Sequence, residues 1–267
     1  MLRNVKNAVL KLENGEMEYI RFGSGERVLV MLPGLGDGLR SMKGTAIPMA
    51  FMYRLFAKEF TVYAFSRKHE LPQGYTTRDM AADQAEAMQQ LGIRKANILG
   101  VSMGGMLAQH LAIDYPELVG RLVLVVTAAR PNPMLTESVE EWITQAKQDD
   151  HAALMDSNLR RIYSDDYYRK NRHLLPVLAR LTKPNSYDRF LVQAAACLCH
   201  DAYADLPKIQ SPTLVIGGAQ DRCLDGESSR EIADQIPGAM LHMYAQWGHG
   251  LYDEAQDFNQ VVMQFLK

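Results

Sequence analysis

Among the residues able to do chemistry, one serine is singled out by its neighbours. Gly100-Val101-Ser102-Met103-Gly104 follows the apolar run Ala96-Asn97-Ile98-Leu99 and precedes Gly105 to Ala112, whose pattern is helical. A Gly-x-Ser-x-Gly run therefore lies where a strand hands over to a helix, which makes Ser102 a candidate nucleophile. A serine on so sharp a turn is held in an unfavourable backbone conformation with its hydroxyl clear of the sheet, and Gly100 and Gly104 let strand and helix approach closely. The start of the helix also favours negative charge beside it. The bare motif is common by chance; the strand before and helix after give it weight.

A serine hydroxyl is a poor nucleophile near neutrality and needs a base and an acid, which in this kind of motif follow it in chain order. The chain has seven histidines. His69 precedes the motif, and His110 lies on the following helix, a pitch or more from the turn. His151, His173 and His200 fall in a polar, helical insert, and His242 falls within the strand Ala239 to Ala245, where alternation sets its direction. His249 differs, because it follows that strand in Gln246-Trp247-Gly248-His249-Gly250, whose glycines permit another loop to come close. It is the candidate base. The strand Thr213 to Gly218 leads into Ala219-Gln220-Asp221, so Asp221 is the first candidate acid, with Asp225 near enough to substitute. After the strand Arg121 to Val126, the segment Thr127-Ala128-Ala129-Arg130-Pro131 offers no acid. The acid would hold the histidine tautomer and stabilise imidazolium without taking the proton.

Acyl transfer also needs donors for the developing oxyanion, usually the largest single catalytic term. Two backbone amides suffice: Met103, after the nucleophile, and Leu35, in the loop Pro33-Gly34-Leu35-Gly36-Asp37-Gly38 that ends the strand Arg27 to Leu32. A dinucleotide-binding reading of that loop fails, since Gly34 and Gly36 are not followed by glycine at position 39, which is leucine.

With these residues assembled, the chain resembles the α/β-hydrolase superfamily, over nearly everything outside the insert. The order Ser102, Asp221, His249 agrees with that family, and Tyr115-Pro116-Glu117-Leu118-Val119 before Leu122–Val125 is similar to its link from nucleophile helix to next strand. The resemblance implies a mostly parallel central sheet flanked by helices, with a helical cap, and a serine branch rather than the aspartate-nucleophile dehalogenase and epoxide-hydrolase branches. Two departures stand out. Pro33-Gly34 replaces the His-Gly of many members, and Ser66-Arg67-Lys68-His69-Glu70 replaces their Asp-x-x-Gly-x-Gly-like loop after Val62–Phe65. The subfamily stays unassigned.

The chain of 267 residues carries a formal net charge of −2, which gives no general basic field for nucleic acid or an anionic membrane. A small-molecule substrate is the expected partner. No apolar run approaches the ~20 residues that span a bilayer, and Arg3, Lys6, Lys11 and Glu13 interrupt any signal-like core; a cytoplasmic location is expected. Three cysteines, Cys197, Cys199 and Cys223, form no paired framework. Cys197-Leu198-Cys199-His200 has metal-ligand types, but in the helical stretch Phe190 to Ala202 positions two apart face differently. No His-Glu-x-x-His or phosphate loop is present, so neither a metal nor another cofactor is implied.

The stretch Val5 to Phe22 reads as two strands turning at Asn14-Gly15. A helix within Pro48–Lys58, a strand Thr61–Phe65 and a helix from Thr77 with Ala81, Ala85 and Met88 on one face follow. This alternation implies an α/β fold with a covered, mostly parallel sheet. Ser228-Ser229-Arg230-Glu231 reads as a capping-box helix start and Pro237-Gly238 as a stop, and Phe258, Val261, Val262 and Phe265 form the stripe of a last helix. Residues 1–130 and 206–267 are expected to form the core domain, and 131–205 an inserted helical cap, too long for a loop. Of the cap's apolar residues, Trp142, Tyr163, Tyr167 and Tyr168 are the candidates to line a substrate pocket. The expected function is hydrolysis of an ester, thioester or lactone of a small, largely apolar molecule through an acyl-enzyme. Carbon–carbon bond hydrolysis, acyl transfer on the same triad, and non-catalytic ligand binding by the same fold are the alternatives.

Overall fold

A computed structural model describes residues 4–267. The chain opens with a hairpin, β1 (Lys6–Leu12) and β2 (Gly15–Gly23), whose turn needs Gly15 at φ 141°, a backbone region open to glycine. Then β3 (Arg27–Leu32), β4 (Phe60–Lys68), β5 (Ala96–Val101), β6 (Val119–Val125), β7 (Thr213–Gly218) and β8 (Met240–Tyr244) complete an eight-stranded sheet in the order β1-β2-β4-β3-β5-β6-β7-β8. The pairings of β1 with β2 and β2 with β4 are antiparallel, and the rest are parallel. Central strands such as β7 are buried along their whole length, as continuous apolar runs covered on both faces must be.

One face is covered by α2 (Thr77–Gln90) and α3 (Met103–Asp114), the other by α1 (Ala46–Met52) and, after the short α10 (Leu251–Glu254), the C-terminal α11 (Phe258–Leu266). Between β6 and β7 the chain inserts α4 (Pro133–Lys147), α5 (His151–Ile162), α6 (Asp165–Asn171), α7 (Leu175–Thr182) and α8 (Asp188–Leu198). Leu135, Val139, Trp142, Leu154 and Phe190 of this insert join the apolar core that includes α2 and α3. The insert is therefore packed onto the sheet unit by burial, which drives association at roughly 25 cal/mol per Å².

Several boundaries differ from the sequence reading. The helix α9 (Glu227–Gln235) starts before Ser228, whose hydroxyl bonds Leu224 O at 2.6 Å instead of capping. A reciprocal capping box occurs at Thr76 and Asp79, opening α2. The first α helix spans Ala46–Met52, ahead of the expected Pro48 start. The helix expected to run to Ala202 ends at Leu198. In α11 the fully buried stripe is Phe258, Val262 and Leu266, with Val261 and Phe265 only partly covered.

Candidate active site

Ser102 sits between β5 and α3 with φ 54° and ψ −123°, a conformation that costs a non-glycine residue about 1–3 kcal/mol. Its surroundings hold it there. Ser102 N donates to Val125 O at 2.9 Å, while Ser102 O accepts from Gly105 N and from Thr127 Oγ1, both at 2.8 Å. Next to it, Val126 also lies at positive φ, 40°. The two motif glycines are required sterically: a Cβ on Gly100 would stand 2.4 Å from Gly104 O, and one on Gly104 2.0 Å from Leu32 O. Gly105 is equally constrained, since its Cβ would meet Thr127 at 2.6 Å. Sequence reading passed over this contact because Thr127 belongs to another strand end.

The Ser102 Oγ to His249 Nε2 distance is 3.0 Å, and His249 Nδ1 lies 2.8 Å from Asp221 Oδ2. Asp221 Oδ1 accepts from the backbone amides of Cys223 and Leu224, at 2.7 and 3.0 Å. Both oxygens are thus engaged, and the carboxylate has one orientation toward the imidazole. Asp225 is exposed at φ 66° and accepts from Glu227 N at 3.2 Å, away from the histidine. His249 reaches the acid loop because Gly248 packs against Gln220 O, where a Cβ would stand at 2.7 Å. On the other side, Gly250 N donates to Ile162 O of α5 at 2.6 Å.

The loop Pro33–Gly38 lies over the serine. A Cβ on Gly34 would stand 3.3 Å from Ser102 Cβ. Leu35 opens a 3-10 turn, Leu35–Gly38, and Met103 opens α3, so both amides are first-turn donors without an intrahelical acceptor. Gly36 meets nothing within 4 Å and is not sterically required.

A cavity of about 370 Å³ opens on Ser102 and His249, lined by Met31 and Leu99 of the sheet, by Met42, Met49 and Met52 in and before α1, and on its insert side by Trp142, Asn158 and Ile162. Its character is mainly apolar. Of the four expected lining residues only Trp142 is present. Tyr163 instead hydrogen-bonds Asp253 at 2.8 Å and stacks on Tyr167, ring centroids 4.2 Å apart, and Tyr168 bonds Asp156 at 2.8 Å. Tyrosine hydroxyls seek partners when buried; the partner of Tyr163, Asp253, itself lines the cavity, while Tyr163, Tyr167 and Tyr168 do not.

The remaining histidines are elsewhere. His110 and His200 form an edge-to-face pair, centroids 4.9 Å apart, with His200 Nδ1 2.9 Å from Thr77 Oγ1. Burial lowers His110 to about 4 and His200 to about 3. His200 is turned inward, Cys197 is buried and Cys199 is exposed. The cluster with metal-ligand types among the described residues is Asp221, Cys223 and His249, ligand atoms within 4.8 Å of one another. Its aspartate and histidine are bonded to each other, and burial pushes the Cys223 thiol well above its ordinary value, disfavouring the thiolate.

Sequence reading also missed a buried charged group behind the loop. Arg67, 2% exposed, donates from Nη2 to Pro33 O at 2.5 Å, and its backbone N donates to Asp37 Oδ2 at 3.0 Å. Arg189 of α8 donates from Nη2 to the same Asp37 oxygen at 2.5 Å and from Nη1 to Asp37 O. Burial lowers the Arg67 guanidinium below its ordinary value, with Asp37 opposing. The signal was the departure at Ser66-Arg67-Lys68.

This strand–serine–helix elbow, with acid and base on later loops, defines a class, and comparison identifies it. A family model described as alpha/beta hydrolase fold matches residues 27–256, and the chain belongs to that family. A 2-hydroxy-6-oxononadienedioate/2-hydroxy-6-oxononatrienedioate hydrolase from a Pseudomonas species is 28% identical over 270 residues, covering 95% of this chain and 92% of that protein. A putative carbamate hydrolase RutD from Stutzerimonas stutzeri is 27% identical over 202 residues, covering 73% and 75% respectively. Among solved structures, the enol-lactonase from Burkholderia xenovorans LB400 is similar with TM-score 0.82 and 25% identity, covering 97% of this chain and 99% of that one. These relatives are named as hydrolases of different bonds. No helix among the described residues is long and apolar enough to cross a membrane.

Proposed function

We propose that this protein is a serine hydrolase that cleaves an ester, thioester or lactone of a small, largely apolar molecule. The observation that carries the reading is the continuous chain Ser102 Oγ, His249, Asp221 at 3.0 and 2.8 Å, within hydrogen-bond reach for proton transfer. Ser102 Oγ attacks the carbonyl carbon while its proton passes to His249 Nε2, and Asp221 holds the Nδ1–H and stabilises the imidazolium. The carbonyl oxygen, now negative, is taken by the N–H groups of Leu35 and Met103. Collapse breaks the bond to the leaving group, which receives the proton from Nε2. Water then repeats the sequence on the acyl-enzyme, and no metal takes part. A cavity of about 370 Å³ with a methionine-rich side supports a small apolar substrate.

The second reading, hydrolysis of a carbon–carbon bond on the same triad, is favoured by the 28% identical relative named for a dienedioate hydrolase. A panel of p-nitrophenyl esters, aryl thioesters, lactones and vinylogous 1,5-diketones, with Ser102→Ala as control, distinguishes the two. Ester or lactone turnover that disappears in Ser102→Ala, together with fluorophosphonate labelling mapped to Ser102, supports the first. Turnover of the diketones alone moves the assignment to the second. Undiminished turnover in Ser102→Ala rejects both.

A further inference from the structure

The peptide that would supply the Leu35 amide lies in a loop with glycine at 34, 36 and 38. Such a loop can flip a peptide plane at little cost, and a flipped Gly34–Leu35 peptide would aim a carbonyl oxygen, not an N–H, at the developing oxyanion. Three sets of bonds oppose that flip. Arg67 Nη2 takes Pro33 O at 2.5 Å, fixing the plane before Gly34. Gly34 O accepts from Asp37 N at 3.2 Å, turning the next carbonyl into the loop. The Asp37 side chain, with no exposed surface, is in turn pinned by Arg67 N at 3.0 Å and Arg189 Nη2 at 2.5 Å.

Arg189 comes from α8 of the insert, more than a hundred residues away, and also donates to Arg67 O at 2.9 Å and Lys68 O at 2.8 Å. Behind it, α8 presses on the loop itself, since a Cβ on Gly38 would stand 2.9 Å from Phe190 Cα. We infer that Arg67, Asp37 and Arg189 are positioning residues that lock the Pro33–Gly38 loop with its N–H toward the oxyanion, so that seating of the helical insert governs catalytic competence. The inference rests on the serine-hydrolase reading.

Arg189 is the arm to remove, because without it Asp37 keeps its Arg67 contacts and the fold keeps a paired carboxylate. The experiment compares wild type, Arg189→Met, Arg189→Lys and Ser102→Ala for kcat and KM on p-nitrophenyl butyrate, with active sites counted by exhaustive fluorophosphonate titration. Each is also titrated with an aryl trifluoromethyl ketone, to whose carbonyl carbon the Ser102 oxygen adds while its proton moves to His249, leaving a stable oxyanion. Arg189→Met should lower kcat by about tenfold or more at a KM within about threefold, and weaken ketone binding in the same proportion. Arg189→Lys should recover part of both. Full kcat per titrated site and full ketone affinity in Arg189→Met, even with a lowered Tm, would reduce Arg189 to a structural tie and overturn the inference. Ester turnover surviving in Ser102→Ala would overturn the inference together with the reading beneath it, whereas wild-type ketone binding unaffected by Arg189→Met overturns the inference alone.

Discussion

Gly104→Ala should cripple catalysis in a protein that still folds, whereas Gly36→Ala should leave both catalysis and fold intact, although the one glycine belongs to the serine motif and the other to the loop over it. A Cβ on Gly104 would stand 2.0 Å from Leu32 O, 2.5 Å from Leu32 C and 2.7 Å from Pro33 O. All three are backbone atoms, so no side chain can swing away. Ordinary contact begins at 3.4 Å, so the start of α3 and the end of β3 must part by about 1 Å, at an overpacking cost of about 1–3 kcal/mol. That corresponds to a Tm loss of about 2–12 °C, at about 2–4 °C per kcal/mol for a chain of this size. The catalytic loss should be larger, because the parting moves Pro33–Leu35 relative to Ser102 and Met103. A misplacement of about 1 Å costs on the order of a hundredfold in rate, and loss of one oxyanion donor about 10²–10³. Gly36 meets nothing within 4 Å and its φ is not positive, so its alanine should fall within about twofold of wild type. Steady-state kinetics on p-nitrophenyl butyrate, with urea unfolding followed by tryptophan fluorescence, tests both. The reasoning is wrong if Gly104→Ala keeps kcat within about threefold, or if Gly36→Ala is the more damaged of the two.

Asp221→Asn should lower kcat by up to about 10⁴ through the wrong imidazole tautomer, while Asp225→Asn, which alters only a turn at Glu227, should leave it unchanged; the opposite ranking moves the acid to Asp225. The pair His110 and His200 is lowered to about 4 and about 3 by burial, whereas the unfolded imidazoles titrate near ~6.5. The unfolded state therefore binds more protons between these values. Their stabilising contribution is complete above ~6.5 and is lost as pH falls toward 4 and 3, on the order of 2 kcal/mol for each imidazole by pH 5. Urea midpoints at pH 7.5 and 5 read this, and a loss on acidification that is undiminished in His200→Asn would assign it elsewhere. Trp142→Ala should enlarge the cavity and shift relative kcat/KM toward longer acyl chains, whereas Tyr163→Phe should cost stability and leave that ratio alone; equal shifts would put Tyr163 back at the cavity wall.

Legibility in the sequence followed locality. β3 and β7 have the bounds their apolar runs mark, Arg27–Leu32 and Thr213–Gly218, and the serine, acid and base candidates each follow a strand within a few residues. The hairpin at Gly15 and the helix from Thr77 were likewise set by short-range chemistry, a left-handed turn and a capping pair. What escaped were contacts between distant segments. The apolar run Thr61–Phe65 marks only part of β4, because Ser66-Arg67-Lys68 is polar; the strand continues to Lys68, since Arg67 finds Pro33 and Asp37, and Lys68 finds Asp83 at 2.9 Å. Ser228 resembles a cap in sequence, yet it is drawn inward by Leu224 and Asn132.

The tyrosines of the insert show why chemistry and specificity differ in this respect. A nucleophile elbow is written in five consecutive residues, because strain, glycine contacts and helix start all act within one turn. A substrate wall is written across helices, and whether an aromatic faces the cavity depends on which polar partner its edge can reach. Trp142 on α4 is buried between the insert and the sheet unit and so faces the serine. Tyr163 begins one residue past the end of α5, where Gly250 lets it pack against the histidine loop and Asp253 holds its hydroxyl. Turned away from Asp253, that hydroxyl would lose its acceptor, an exposed carboxyl at the rim of the same cavity. The same side chain that sequence composition marks as pocket material is thus held against the back of the His249 loop. Its contribution to catalysis would be to fix where His249 stands, while under the proposed function the choice of substrate would fall to Trp142 and the methionines opposite it.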